Sequence, residues 1–135
     1  MISAVIDTNV LVSAFWSFGK DTPPMRILRA LVNGMFTAVV SGGIVEEYRE
    51  VLRRKKFAFD ETDVNALLEF IVRHSIWVTP TETDAPVADP KDKVFYCSAL
   101  AEDGAKVVTG NLKHFPLEDF VVSPRAMLEI LGGLP

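Results

Sequence analysis

The chain has 135 residues, of which 49% are hydrophobic and 24% charged, with a net charge of -4. This is globular composition, long enough for one domain to bury a core, and it excludes a disordered or low-complexity chain. A pI near 5.1 argues against a protein that coats nucleic acid through bulk positive charge, although acids gathered around metal ions would make the formal charge misleading locally.

Cys97 is the sole cysteine, so no internal disulfide is possible and a reducing, cytoplasmic setting is expected. The first apolar run has no basic leader and is interrupted by Asp7, which predicts neither a signal peptide nor a membrane span. Residues 1–135 show no repeat or linker and are read as one domain.

Ile2 to Ile6 is short, apolar and rich in β-branched residues, and reads as a buried strand. Asp7, Thr8 and Asn9 follow, then Val10 to Val12 and an aromatic patch, Ser13 to Gly19, containing Phe15, Trp16 and Phe18. That patch is read as core, dimer surface or a stacking platform for bases. A helix fits Pro24 to Val32, with Met25, Ile27, Leu28 and Leu31 at helical spacing and Gly34 closing it.

Phe36 to Val40 is the second strand. Ser41 can cap a helix from Gly43 to about Lys55, whose stripe is Ile44, Val45, Tyr48, Val51 and Leu52. At roughly 100° per residue, Glu47 falls beside that stripe and Glu46 further out. The basic run Arg53 to Lys56 is expected at this helix's C-terminus, where the macrodipole favours cations.

Asp60 to Asp63 open a helix through Val72, and Ile76 to Val78 is a third strand. Thr79 to Val87, with Pro80 and Pro86, is a loop. Asp89, Pro90, Lys91 and Asp92 then precede an apolar helix containing Phe95, Cys97 and Leu100 and ended by Gly104. Lys106 to Thr109 and Phe120 to Val122 are the last strands, separated by a loop at Gly110 to Phe115. Ser123 and Pro124 start a final helix that ends at Gly132 and Gly133.

Strands alternating with helices imply a mainly parallel sheet covered on both faces, with ligands at the carboxyl ends of the strands. The acids able to meet there are Asp7, Glu47, Asp89 and Asp92, with Thr109 and Asn111 after the fourth strand. Oxygen donors of this kind suit hard ions such as Mg²⁺ or Mn²⁺.

Four segments, in order, carry a resemblance: V-I-D-T-N-V-L-V-S-A at Val5 to Ala14, E-E-Y-R-E-V-L-R-R at Glu46 to Arg54, D-P-K-D at Asp89 to Asp92, and V-V-T-G-N-L-K-H-F at Val107 to Phe115. The sequence resembles the PIN-domain ribonucleases, and within them the bacterial toxin components of toxin–antitoxin pairs. The resemblance implies a three-layer α/β/α fold with a central parallel sheet and an acidic pocket for one or two Mg²⁺ or Mn²⁺ ions. It also implies a metal-dependent endoribonuclease that hydrolyses RNA phosphodiester bonds with metal-activated water. The implied partners are an RNA substrate, a small antitoxin protein and a second copy of the chain.

Residue by residue, the family's acids fall on Asp7, Glu47 and Asp92 as catalytic metal ligands, with Asn111 where an Asp is frequent and Asp89 as a further candidate. Asn111 brings no negative charge, which makes one ion a safer expectation than two. Thr8, Asn9 and Thr109 are expected to hydrogen-bond the carboxylates.

Competing roles stand beside these. Asp7 can be a turn former or N-cap, Asp92 the N3 member of a capping box on Asp89, and Glu47 a solvated partner of Arg49 or Arg54. Cys97 reads as core and His74 as surface. The basic run with Lys113 and His114 is an alternative grip on RNA phosphates. Two other functions remain open: a non-catalytic PIN-like module that binds RNA or protein, and a haloacid-dehalogenase-like phosphatase with Asp7 as nucleophile. The phosphatase motif wants a second Asp where Asn9 stands.

Overall fold

The computed structural model describes residues 1–132. Five strands, β1 (Ser3–Ile6), β2 (Thr37–Val40), β3 (Ile76–Trp77), β4 (Lys106–Val108) and β5 (Val121–Val122), form one sheet in the order 3-2-1-4-5. Every pairing is parallel. Each strand lies inside a segment where β-branched residues outnumber polar ones. β1 is buried along its whole length, as a central strand covered on both faces must be.

The connections are α1 (Thr8–Trp16), α2 (Pro23–Val32), α3 (Gly42–Leu52), α4 (Glu61–His74), α5 (Pro90–Leu100) and α6 (Pro124–Ile130). They flank the sheet in a three-layer α/β/α arrangement. α2 packs against α1 and α6, while α5 lies on β1, β2 and β4 and also meets α3. Side chains of Thr22, Ser41, Asp60, Asp89 and Ser123 cap α2 to α6 in turn, so each start signal is a hydroxyl or carboxylate satisfying free backbone N–H groups.

Three expectations change. Val10 to Trp16 belong to α1, a helix hidden from periodicity because Thr8, Val10, Leu11, Val12, Ala14 and Phe15 are all buried. α3 ends at Leu52 rather than Lys55, and Arg54 turns into extended backbone before a short 3₁₀ turn at Lys55–Phe57. The basic run therefore lies mostly beyond the helix, and only Arg49 occupies its last turn. At the other end of the chain α6 stops at Ile130, with Gly132 in the left-handed region at φ 91°; Gly133 lies outside the described residues. Among the described residues no helix is long and apolar enough to cross a membrane.

Two contacts fix the elements that carry the acids. The Tyr48 hydroxyl, fully buried, donates to the Ile6 carbonyl and ties α3 to the last residue of β1. Ser98 of α5 donates to the Ser41 hydroxyl at the start of α3, 3.1 Å away in the core. Gly43 permits this approach: a Cβ there would stand 3.2 Å from the Val94 Cγ2 of α5.

Candidate active site

The strand order reverses between β1 and β4, so the crevice at their carboxyl ends is the switch point of the sheet. A cleft of about 360 Å³ opens there, lined by Asp7, Glu47, Asp89, Asp92 and Asn111 among others. Every acid singled out from the sequence therefore reaches one place, from the end of β1, the flank of α3 and the first turn of α5.

Asp7 is 5% exposed. It occupies the N-cap position of α1, yet its carboxylate makes no capping hydrogen bond. Instead its Oδ2 accepts from the Thr109 hydroxyl at 2.7 Å, joining the ends of β1 and β4. Burial raises its pKa to about 6; the Asp92 charge adds to the rise, while the Thr109 hydrogen bond and the Thr8 and Asn9 amides oppose it. Asp7 is thus a carboxylate whose charge the protein alone does not fully compensate.

Asp92 has 15% of its side chain exposed and stands 3.3 Å from the His114 Nδ1 through Oδ2. The contact lacks hydrogen-bond geometry, and Oδ2 is left buried without a hydrogen-bond partner. Burial and then the Asp89 charge raise its pKa, with His114 acting in the opposite direction. The capping box is not formed: Asp89 alone caps α5, its Oδ1 accepting from the Lys91 amide at 2.9 Å. Asp92 is therefore free of the structural duty that its sequence context offered.

Glu47 is half-buried at the cleft wall and Glu46 is exposed, as the helical geometry predicts. Arg54 pairs with Glu50 at 3.4 Å rather than with Glu47. Asn111 is exposed at the cleft rim, its backbone N–H donating to the Thr109 hydroxyl at 2.9 Å. Thr109 thus links the backbone carrying Asn111 to the carboxylate of Asp7.

Of the three expected hydrogen-bond partners only Thr109 reaches a carboxylate through its side chain; Thr8 and Asn9 act on Asp7 through their backbone amides. Asn9 accepts from the Gly110 amide at 3.3 Å, a bond that closes the β1 and β4 ends together. Thr8 Oγ1 is buried without a partner. The expected side-chain hydrogen bonds from Thr8 and Asn9 to the carboxylates are therefore not formed, although both residues line the cleft.

His114 enters the site in a way the sequence did not indicate. It lies 22 positions after Asp92 in a 3₁₀ turn, and no spacing rule connects the two. Cys97 is buried and His74 is exposed, both as expected, with the His74 ring beside Phe70. Among the described residues no three His, Cys, Asp or Glu side chains form a ready-made metal cluster.

A parallel 3-2-1-4-5 sheet with carboxylates converging at its switch point defines an α/β protein whose cleft is suited to hard cations and phosphate esters. Comparison with family models sharpens this class. The PIN-domain model matches residues 3–113, and the chain belongs to the PIN-domain family. It is thereby a nuclease-type module. Searches of curated proteins and of solved structures return no match.

Proposed function

We propose that the chain is a divalent-metal-dependent endoribonuclease acting as the toxin of a toxin–antitoxin pair. The observation that carries the catalytic part is the state of Asp7 and Asp92: two carboxylates in one cleft, both pushed towards neutrality by burial, one with an orphaned oxygen. Such groups are poorly placed for structural work and well placed to bind a cation.

The donor chemistry fits Mg²⁺ or Mn²⁺. Asp7, Glu47, Asp92 and Asn111 offer oxygen atoms only. Mg²⁺ is commonly held by one or two carboxylates and keeps several waters. Asp7 and Asp92 would be the principal ligands, with Glu47 beside them and Asn111 and Asp89 at the rim. When bound, such an ion supplies Lewis acidity and activation of water.

The chain's own residues do the positioning. Thr109 holds Asp7 by one oxygen, Tyr48 holds α3 against β1 so that Glu47 faces the cleft, and Asp89 fixes the start of α5 and hence Asp92. Arg54 and Lys91 line the same cleft and supply positive charge towards an RNA phosphate. The toxin role, the small antitoxin and a homodimer rest on the family resemblance, and the cytoplasmic setting on the lone Cys97.

The deciding experiment is cleavage of single-stranded RNA with Mg²⁺, Mn²⁺ or excess EDTA by wild type and Asp92→Asn. Cleavage is expected to need the metal and to fall about 100-fold or more in the variant. Equal cleavage in EDTA, or an unimpaired Asp92→Asn, overturns the reading. A second reading, a non-catalytic PIN module, is favoured by the uncharged Asn111 and selected by RNA or protein binding without Mn²⁺ binding in calorimetry.

A further inference from the structure

The cleft has a second wall that the acids do not use. Trp16, the last residue of α1, and Phe57, in the 3₁₀ turn after α3, line the same cleft as Asp7 and Asp92. Trp16 is 64% exposed, far more than an indole that packs a core. Its indole is nevertheless well supported. It stands edge-on to Phe57 at 5.2 Å and to Phe59 at 6.2 Å. Phe57 and Phe59 stack on each other at 5.1 Å, and Phe59 stacks on Phe15, which is buried in the core. A large aromatic face is thus presented to solvent on a rigid base, beside the reacting centre.

Two cations border this wall, although Arg54 is paired with Glu50 and the opposite wall is acidic. Arg54 lines the cleft next to Phe57, and the Lys56 ammonium lies 5.2 Å over the Phe57 ring. Alternating aromatic faces and cations are the pattern by which proteins hold single strands, the bases stacking while the cations take the phosphates.

We infer that Trp16, braced by Phe57, is a specificity-determining stacking platform for an unpaired base next to the scissile phosphate, so that the substrate is RNA that is single-stranded at this point. This rests on the ribonuclease reading for its substrate and on the aromatic wall for its residue. A base in a duplex is already stacked on both faces and cannot take the indole as a neighbour without being unstacked.

The test uses the full chain carrying Asp92→Asn to prevent turnover and Trp77→Phe so that Trp16 is the sole indole. A single-stranded RNA 12-mer should quench Trp16 fluorescence, and the same RNA as a duplex should not. Trp16→Ala should weaken single-strand binding about tenfold, with Trp16→Phe restoring most of it and duplex binding unchanged. In the cleavage-competent chain, Trp16→Ala should raise KM for single-stranded RNA about tenfold with a smaller change in kcat.

Single-strand affinity within twofold of wild type in Trp16→Ala overturns the inference, as does an equal loss for duplex. Loss of a dimer in sedimentation with RNA affinity intact also overturns it, in favour of a second copy; the same loss for a protein partner alone points to protein docking and overturns it too. Wild-type cleavage with Mn²⁺ is read separately. Trp16-dependent binding without cleavage sinks the nuclease reading and leaves the platform standing, whereas cleavage without Trp16 dependence does the reverse.

Discussion

Replacing Asp7 by Asn should make the metal-free protein more stable, not less. Asn keeps the shape and an oxygen to accept the Thr109 hydroxyl, removes the charge and turns the second acceptor oxygen into an NH2 donor, a smaller loss than the gain from neutralisation. The rise of the Asp7 pKa from 3.8 to about 6 corresponds to about 3 kcal/mol at about 1.36 kcal/mol per pH unit. Because the folded value lies above the unfolded one, the native state binds more protons, and wild-type stability falls as pH rises from about 4 to about 6. Below that window Asp7 is neutral in both states and its cost vanishes. Relief of the repulsion between Asp7 and Asp92 acts in the same direction.

Urea denaturation of both proteins, followed by circular dichroism at pH 4, 6 and 8, measures the difference directly. Asp7→Asn should gain on the order of 2–3 kcal/mol at pH 8 and almost nothing at pH 4. Groups common to both chains cancel. Mn²⁺ at about 100 times its Kd should stabilise wild type by about 2.7 kcal/mol and leave Asp7→Asn unaffected, narrowing the gap. A variant that is no more stable at pH 8, or a gap that is the same at pH 4 and pH 8, would refute the reasoning.

Two more outcomes follow from the braces around the site. Tyr48→Phe leaves the Ile6 carbonyl without its buried donor and should cost about 1–3 kcal/mol in urea unfolding, with cleavage reduced because Glu47 shares the helix; a loss under about 0.5 kcal/mol would show that water or another group replaces the hydroxyl. Thr109→Val removes a hydrogen bond that favours ionised Asp7 and should weaken Mn²⁺ affinity in calorimetry by about 10- to 100-fold. It should also move the acidic limb of the cleavage profile to higher pH. An unchanged affinity and profile would mean that Thr109 has no hold on the carboxylate.

The strands were legible because each concentrates β-branched residues between turn formers, as Thr37–Val40 does between the segment after Gly34 and the capping Ser41. The acids were legible in position through the motif order, and their meeting in one cleft follows from the parallel topology. What escaped were features made only by tertiary packing. α1 has no polar face for periodicity to register, and nothing in the linear chain brings His114 to Asp92. Tyr48 was visible only as one residue of an apolar stripe, since its apolar ring and its hydroxyl serve different neighbours. The capping box at Asp89 to Asp92 failed for a related reason: a local pattern offers a bond, and the cleft competes for the same carboxylate.

The link between Thr109 and Asp7 spans 102 positions, and β4 reaches β1 only after both earlier strands have been laid down on its other side. A chain leaving the ribosome from its amino terminus therefore carries Asp7 for most of its synthesis without the group that orients it. The cleft also lacks Asp92 until the fifth helix is made. Whatever chemistry the site performs is withheld, by connectivity alone, until the segment carrying Thr109 has been made.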